Sequence, residues 1–245
     1  MTEWSGRLEG DAVWSGDVLV SGDVVVPPGA KLRVAAGTRV SFASRPKWSC
    51  AVFRAAPEGY PIEASDREAC DLVVLGQLEV AGSPENPAVF GGQDAQWGGM
   101  IFLERAAATL QHCVIKVGTE YALQAFDDAR LALEDCGLEE AQVGIASRGL
   151  SHVSILGGRV RAGRCGAVAC EGSRITLDKT QILDSPQGLC AEDWALVRAT
   201  GSRFTANRDF AVSARGYSWA RFDGCDFEKS GETALRWEHA RIDVR

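Results

Sequence analysis

Val153-Ser-Ile155, Ile175-Thr-Leu177, Val197-Arg-Ala199 and Ala220-Arg-Phe222 are four versions of one pattern, in which a polar or charged residue stands between two apolar ones. This alternation is typical of a β-strand with one buried face. Each tripeptide is followed by a small residue and then by a larger apolar one: Gly158 and Val160, Thr180 and Ile182, Ser202 and Phe204, and Cys225 and Phe227. The same columns contain Cys113 and Ile115, then Cys136 and Leu138, so the pattern predicts two strands in each repeat.

A third strand is expected at the start of each repeat, after a turn residue such as Gly144, Gly166 or Gly188. The repeats restart at intervals of 22, 23, 22, 22, 22 and 22 residues, at Met100, Ala122, Ile145, Ala167, Leu189, Ala211 and Thr233. Three short strands in about 22 residues, with no helical run between them, are typical of one coil of a parallel β-helix. One coil cannot bury its own apolar side chains, so the coils must stack around a continuous core. Leucine-rich repeats need a regular Leu-x-x-Leu-x-Leu pattern and propeller blades are about twice as long, so neither fits.

Segments of the N-terminal half resemble the opening coils of many bacterial right-handed β-helix proteins. They are Gly22-Asp-Val-Val-Val-Pro-Pro-Gly-Ala-Lys-Leu-Arg-Val-Ala-Ala-Gly-Thr-Arg-Val-Ser-Phe42, Gly82-Ser-Pro-Glu-Asn-Pro-Ala-Val-Phe90 and Trp97-Gly-Gly-Met-Ile-Phe102. Such proteins belong to the broad pectin-lyase-like superfamily, and the resemblance covers nearly the whole chain. It implies an all-β fold, a right-handed parallel β-helix. It implies no single activity, because the superfamily spans polysaccharide lyases, glycoside hydrolases, adhesins and repeat proteins of unknown role.

One domain, residues 1–245, is predicted, because a solenoid grows by repetition of one unit. Residues 1–16 are expected to cap the first coil, whose strand edges and apolar side chains would otherwise be exposed. Residues 43–71 break the rhythm and contain aromatic residues and prolines, so an inserted loop is expected there. The sequence stops on a strand shortly after Thr233, so head-to-tail stacking or a missing downstream region is expected at that end.

Charge and composition narrow the partners and the compartment. The net charge is −7 with both signs interspersed, so we expect no nucleic-acid partner. No apolar run is long enough to span a membrane, so no membrane insertion is expected. The N-terminus lacks the pattern of a signal peptide, and mostly unpaired cysteines favour a reducing compartment, so a cytoplasmic location is predicted. A periplasmic or secreted location stays open if a signal segment was removed.

The eight cysteines give little sign of metal binding or of disulfides. Cys113, Cys136 and Cys225 fall in the small-residue column, where a thiol behaves as a small apolar group. Cys50 and Cys70 bracket the insertion and are the one pair whose position suggests a bridge. No Cys-x-x-Cys or Cys/His spacing typical of zinc is present, so no metal or cofactor is expected.

Candidate catalytic residues are few. Hydrolysis of a sugar polymer needs paired carboxylates facing a groove, and Asp127-Asp128 is the one pair that suggests it, although a polar loop between strands explains the pair as well. Galacturonan hydrolases of the superfamily carry Asn-Thr-Asp, Asp-Asp, Gly-His-Gly and Arg-Ile-Lys motifs. This chain has only an Asp-Asp, and Arg174-Ile-Thr176 departs from the last motif.

Two further arrangements are weaker candidates for a catalytic site. Lyases of this fold use acidic calcium ligands with an Arg or Lys base, and Glu192-Asp193 near Arg148 or Arg215 imitates this at an unconvincing spacing. The histidines fall at different repeat positions and are expected to be surface residues that do not form one site; they are His112, His152 and His239. An enzyme is therefore less expected than a non-catalytic protein.

Two surfaces are candidates for binding. The second residue of each opening strand is apolar where a wetted sheet face would be polar, at Ile101, Leu123, Ala146, Val168, Cys190, Val212 and Ala234. Such a stripe exceeds what a soluble monomer exposes, so it is expected to be covered by loop 43–71 or by a second copy of the chain, unless inside and outside are inverted. Five arginines of the last coils form either a mixed-charge solvated face or a patch for an acidic partner: Arg198, Arg203, Arg208, Arg215 and Arg221.

The sequence favours a non-catalytic β-helix scaffold or binding module that acts through the apolar stripe, with a homo-oligomer or another protein as partner. The alternative is a carbohydrate-active protein, either a polysaccharide lyase or hydrolase or a glycan binder. Burial of the stripe against another chain would favour the scaffold. A row of stacked, exposed aromatic side chains, or a carboxylate cluster with bound calcium, would favour the carbohydrate-active alternative.

Overall fold

The computed structural model describes residues 1–43, 69–91 and 97–245, and this part of the chain is all β, with 27 strands and no helix. The strand registers are parallel throughout, and the same three strands recur in each coil. The predicted right-handed parallel β-helix with about 22 residues per coil is therefore confirmed. A right-handed turn is also the one that crossovers between parallel strands nearly always adopt. Among the residues described, no helix is long and apolar enough to cross a membrane.

A complete coil contributes an opening, a middle and a third strand. The middle strands form a ten-stranded sheet: β2 (Ala12–Trp14), β4 (Lys31–Ala35), β7 (Gln77–Ala81), β10 (Ala107–Gln111), β13 (Arg130–Glu134), β16 (His152–Leu156), β19 (Arg174–Asp178), β22 (Leu196–Thr200), β25 (Trp219–Asp223) and β27 (Arg241–Val244). The opening strands are β6 (Asp71–Val74), β9 (Gly99–Phe102), β12 (Tyr121–Ala125), β15 (Val143–Ser147), β18 (Cys165–Ala169), β21 (Gln187–Ala191), β24 (Phe210–Ala214) and β26 (Glu232–Arg236).

The third strands are β5 (Arg39–Phe42), β8 (Ala88–Phe90), β11 (Cys113–Lys116), β14 (Gly137–Glu139), β17 (Arg159–Val160), β20 (Gln181–Leu183) and β23 (Arg203–Thr205). Two N-terminal strands complete this set: β1 (Thr2–Arg7) and β3 (Asp17–Val26). The long strand β3 pairs with the third strand β5 along its first part and with the opening strand β6 along its last part, and β1 pairs with β3. They join the opening and third strands into one 17-stranded sheet. Residues 1–16 thus continue the sheets of the solenoid, and their role as a cap stays a prediction.

The interior is one apolar core that runs through the described coils. In the middle sheet, Val153, Ile175, Val197 and Ala220 are register partners in consecutive coils and all are buried, which confirms the strand predicted from their tripeptides. Each buried Val or Ile contributes roughly 1.5–3 kcal/mol by leaving water. The central residue of each tripeptide points outward from the middle sheet and contributes to the surface described below.

The turn between opening and middle strands repeats with little variation. It has four residues, and the second has a left-handed backbone, as at Asp127, Gly149, Glu171 and Asp193. The next residue donates its backbone N–H to the coil before, for example from Leu150 to Asp127 O at 2.7 Å. Because the turn has the same length in these coils, side chains that follow the left-handed residue stack directly above one another.

The opening strands differ from the prediction in register. Two coils have one extra residue in the turn before this strand, since Ile115 to Leu123 spans eight positions whereas Leu138 to Ile145 spans seven. The inward residue of β12 is therefore Leu123, paired with Met100 and Ile145, and that of β24 is Val212, paired with Leu189. The sequence pattern alone could not locate the extra residue, because Ala122 and Ala211 are apolar too.

Glycine has a different role from the one predicted. Gly144, Gly166 and Gly188 lie inside the opening strands, not in turns. A Cβ at Gly144 would lie 2.6 Å from Gly166 O and would meet the Val160 side chain, so only glycine fits there without a shift of its neighbours. Val143, which precedes Gly144, packs in an outer cluster, whereas Ile145, two residues further on, packs in the core. Tyr121 and Leu123 are arranged in the same way in the coil before. The alternation of the strand is therefore broken at this position.

The predicted loop 43–71 falls mostly outside the described residues, as does Cys50. Cys70 is a buried free thiol whose Sγ lies 3.4 Å from Ala43 O. Burial, together with Asp23 and Asp71, raises the pKa of Cys70 to about 12, so this thiol is unreactive at neutral pH.

Candidate functional site

A row of basic side chains crosses the outer surface of the middle sheet. Arg130, His152 and Arg174 are the first residues of β13, β16 and β19, and they are register partners in three consecutive coils. Neighbouring coils in such a ladder lie about 4.8 Å apart, so the row presents closely spaced nitrogen donors. Among the described residues, neither Arg130 nor Arg174 has an acidic partner within ion-pair distance. The positive charge of this row is therefore available to a ligand.

The row continues into a groove of about 370 Å³. Its walls are His152, Arg174, Thr176, Leu196, Arg198 and Trp219, with Val197 and Arg221 beside them. We call it the arginine–tryptophan groove. It combines guanidinium groups with an aromatic face, and Arg198, like Arg174, forms no ion pair among the described residues. Guanidinium groups bind carboxylates and sulfates by paired hydrogen bonds, so the groove suits an anionic ligand.

His152 is the titratable group of the groove. Its Nε2 lies 3.3 Å from Thr176 Oγ1, and the ring is half-buried between two arginines. Burial lowers the pKa of His152, and the charges of Arg174 and Arg130 lower it further. The imidazole is therefore neutral at pH 7 and gains its charge only in more acidic solution.

Trp219 forms the aromatic wall at the other end. Its Nε1 donates a hydrogen bond of 3.0 Å to Asp243 Oδ2, and the Arg241 guanidinium lies 5.6 Å from the ring centroid. The indole is nevertheless 43% exposed. These contacts from the next coil fix the ring orientation while leaving its groove side open.

A ladder of stacked aromatic rings borders this groove, and we call it the aromatic ladder. It comprises Trp194, Tyr217 and His239, which occupy the same turn position in three consecutive coils. The Trp194 and Tyr217 centroids are 4.4 Å apart with ring planes 8° from parallel, and Tyr217 and His239 are 4.9 Å apart at 21°. Trp194 is 64% and Tyr217 is 54% exposed. This is the row of stacked, exposed aromatics that distinguishes the polysaccharide alternative.

The turn backbone positions the aromatic ladder. Trp194, Tyr217 and His239 each follow a residue with a left-handed backbone, namely Asp193, Gly216 and Glu238. Their N–H groups donate to the equivalent carbonyl of the coil before, at 2.9, 2.6 and 3.1 Å. In the preceding coil this position is Gly172, which has no side chain, so no ring of the described residues stacks on the outer face of Trp194. Trp194 and Tyr217 stand two residues before Leu196 and Trp219, so the aromatic ladder and the arginine–tryptophan groove form one surface.

Asp127 and Asp128 lie in an earlier copy of the same turn. Asp127 has the left-handed backbone, and its Oδ2 accepts the N–H of Glu104 at 3.0 Å. Glu171 makes the equivalent bond to Gly149 N at 2.7 Å, which shows that an acidic residue at this position ties adjacent turns together. Asp128 lines a separate open groove of about 740 Å³ with Glu104 and other residues. The structure thus gives Asp127 a structural role, and a catalytic role for the Asp127-Asp128 pair stays untested.

Of the residues in the predicted lyase-like arrangement, Glu192 and Arg215 are in contact. Arg215 Nη2 lies 2.7 Å from Glu192 Oε2, across adjacent coils. The hydrogen bond and the charge of Glu192 raise the pKa of Arg215, so this arginine holds its proton more firmly than usual. An arginine that acts as the base of a lyase needs a lowered pKa, so that it can lose its proton. Among the described residues, no group of three or more His, Cys, Asp or Glu side chains is placed to hold a metal ion.

The predicted apolar stripe is only partly correct. Ile101, Ala146, Val168 and Cys190 do point outward from the opening strands, in line with Gln124 and Ser213. The prediction is wrong for Leu123 and Val212, because they pack inside the solenoid with no exposed surface. It is also wrong for Ala234, which is the register partner of Val212 and so belongs to the inward column. The cause is the extra residue in the coils of Leu123 and Val212.

The outer face of the opening strands is also covered within the chain itself. Ile101 packs with Val73, Leu103 and Phe126, and all of them are buried. Further along, Ala146 and Cys190 pack with Tyr121, Val143 and Cys165, and Val168 stays half-exposed beside Phe210. The described residues therefore do not present an open apolar stripe.

The arginines and histidines of the last coils separate into different surfaces. Arg198 and Arg221 are register partners on the middle sheet, whereas Arg203 lies on a third strand and Arg208 and Arg215 lie in turns. The three histidines occupy different repeat positions, as predicted. The expectation that each is a simple surface residue missed two contacts, because His152 lies in the groove and His239 stacks on Tyr217.

The fold and this surface define a parallel β-helix repeat protein. Two solved structures are similar to the chain, and both are from Azotobacter vinelandii: the A-module of mannuronan C-5 epimerase AlgE6 and that of AlgE4. Sequence identity is 11% to each, with TM-scores of 0.37 and 0.35. The alignments cover 97% of this chain and 90% of the first module, and 98% and 91% for the second. No family model and no curated protein matches the chain.

Proposed function

We propose that the protein binds an acidic polysaccharide on the surface formed by the arginine–tryptophan groove and the aromatic ladder. The observation that carries the proposal is that Arg174 and Arg198 have no ion-pair partner in the described part of the chain, while they line one groove with the indole of Trp219. The protein as a whole carries a net charge of −7, so these cations attract anions through local placement and not through overall charge.

Each part of the surface matches one property of such a ligand. The guanidinium groups supply paired donors for carboxylates, and aromatic rings supply flat apolar surfaces for the CH faces of sugar rings. Stacked coils repeat their side chains every ~4.8 Å, which suits a polymer that presents repeating charges along the solenoid axis. The site thereby favours a chain of sugar acids over a single small anion.

The proposal requires binding and no bond cleavage. Asp127 and Asp128 belong to a different groove, and Glu192 holds Arg215 in its protonated state. The proposed function is therefore that of a glycan-binding module. Self-association or a protein partner stays a separate prediction.

The test is isothermal titration of the protein with an oligogalacturonate and with a neutral cello-oligosaccharide of equal length. We expect binding of the acidic oligomer, and a loss of about ten-fold or more in affinity for Arg174→Ala and for Arg198→Ala, because hydrogen bonds to charged groups are worth ~1.5–3 kcal/mol. Arg203→Ala is the matched control, since it removes the same charge from an exposed third-strand position outside the groove.

The aromatic ladder is tested by Trp194→Ala in the same titrations. Stacking does not depend on the ligand charge, so we expect weaker binding of both oligomers, whereas the arginine variants lose only the acidic one. Equal affinities of the wild type, Arg174→Ala and Arg203→Ala proteins for the acidic oligomer would show that the groove is not the site.

A further inference from the structure

Two pairs of thiols lie in contact across adjacent coils. Cys113 Sγ is 3.2 Å from Cys136 Sγ inside the solenoid, and Cys165 Sγ is 3.5 Å from Cys190 Sγ on the outer side of the opening strands. All four are free thiols and all are buried. A sulfur–sulfur bond is about 2.05 Å long, so the two sulfurs of each pair must approach by a further ~1 Å or more before they can bond.

The backbone distinguishes the two pairs. Val114 and Gly137 are register partners, so Cys113 and Cys136, which precede them, stand side by side in neighbouring coils. The coil spacing of ~4.8 Å falls within the Cα separation of about 4.4–6.8 Å that disulfides tolerate. Cys165 instead pairs with Gln187, three residues before Cys190, so the outer pair is diagonal. Closing the outer pair would require the backbone to move.

We propose that Cys113 and Cys136 form a site of reversible disulfide modification that links two adjacent coils. The oxidant is a small disulfide such as oxidised glutathione. The thiolate of one cysteine attacks a glutathione sulfur and releases one glutathione thiolate, and the second cysteine then attacks the mixed disulfide and releases the other. The two protein thiols lose two electrons and two protons, and one glutathione disulfide becomes two glutathione thiols.

The local chemistry assigns the order of attack. Cys113 donates its S–H to Cys136 Sγ, and this hydrogen bond lowers the pKa of Cys136 while it raises that of Cys113. Cys136 is therefore the first nucleophile, since the thiolate is the reactive form. Cys113 and Cys136 are only 1% and 3% exposed, so the exchange proceeds through local opening or during folding.

The experiment is refolding of the wild-type chain in a glutathione redox buffer, followed by alkylation of the remaining thiols and peptide mass spectrometry. We expect a linked peptide pair containing Cys113 and Cys136, with Cys165 and Cys190 alkylated. The bridge closes a loop of 24 residues and should raise Tm by about 5–10 °C over the reduced protein.

Two variants keep the result interpretable. Cys113→Ser should abolish the redox dependence of Tm, whereas Cys165→Ser, which removes one thiol of the outer pair, should retain it. Alkylation of both Cys113 and Cys136 after refolding in oxidised buffer, or a bridge found at Cys165 and Cys190 instead, would overturn the proposal.

Discussion

At the scale of single residues, the lack of a side chain at Gly166 allows adjacent coils to approach closely. A Cβ there would lie 2.7 Å from Gly188 O in the next coil and would meet the Ile182 side chain. Gly166→Ala should therefore destabilise the protein by about 1–3 kcal/mol, the usual cost of overpacking. Urea denaturation measures this, with Gly10→Ala as control, because the Gly10 site is open and its change should stay within about 0.5 kcal/mol. Equal losses for both variants would mean that the strand has room at Gly166.

A second prediction at this scale concerns the charge of His152. Burial and the neighbouring arginines lower its pKa in the folded protein, so between that pKa and the unfolded value of about 6.5 the unfolded chain binds more protons. The contribution of His152 to stability is thus complete above pH 6.5 and is lost as the pH falls through this window. An anionic ligand reverses the preference, because it stabilises the imidazolium in the groove.

The charge of His152 is tested by measuring the affinity of the protein for an oligogalacturonate at pH 7 and at pH 5. Wild-type protein should bind more tightly at pH 5, where the carboxylates of the ligand are still largely ionised, and His152→Gln should lose that gain. Denaturation curves of the two proteins over the same range provide the matching stability test, in which His152→Gln should lose less stability on acidification. A gain in affinity that persists in His152→Gln would assign the proton to another group.

At the scale of strands and turns, the sequence predicted the middle and third strands better than the opening strands. The middle strands alternate strictly, so Val153-Ser-Ile155 and its three relatives fixed both their positions and their inward faces. The opening strands are apolar on both faces and bend at a small residue, so alternation could not reveal that Leu123 and Val212 point inward. Only pairing with Ile145 and Leu189 in the neighbouring coils determines that register.

Most of the candidate site could not be predicted from the sequence, because it depends on which residues the coils place next to one another. Trp194, Tyr217 and His239 are three different residue types, and their stacking follows from a turn of constant length whose left-handed residue is Asp, Gly or Glu. Their spacing of 23 and 22 residues was a usable signal. The basic row was less visible, because Arg130, His152 and Arg174 come together only once the coil length is known.

At the scale of the whole molecule, the solenoid is a stack in which each coil contacts mainly its neighbours. Stability in such proteins is approximately the sum of coil and interface contributions, so a coil whose removal preserves the register is dispensable. Residues 145–166 form one full repeat of 22 residues, and their deletion would join Gly144 to Ala167, which is the register partner of Ile145. Arg130 would then neighbour Arg174 directly, without His152 between them.

We expect the protein lacking residues 145–166 to fold, with a β-sheet circular dichroism spectrum and cooperative thermal unfolding at a lower Tm, because one core layer and one interface are lost. The control is deletion of residues 145–155 alone, half a repeat, which would set opening strands against middle strands and place Arg and Asp side chains in the core. That protein should not fold, since unpaired buried charges are far more costly than a missing layer. If both deletions unfold the chain, the coils are not interchangeable; if the shorter deletion also folds, the register is less strictly defined than the ladder of Ile145, Ala167 and Leu189 indicates.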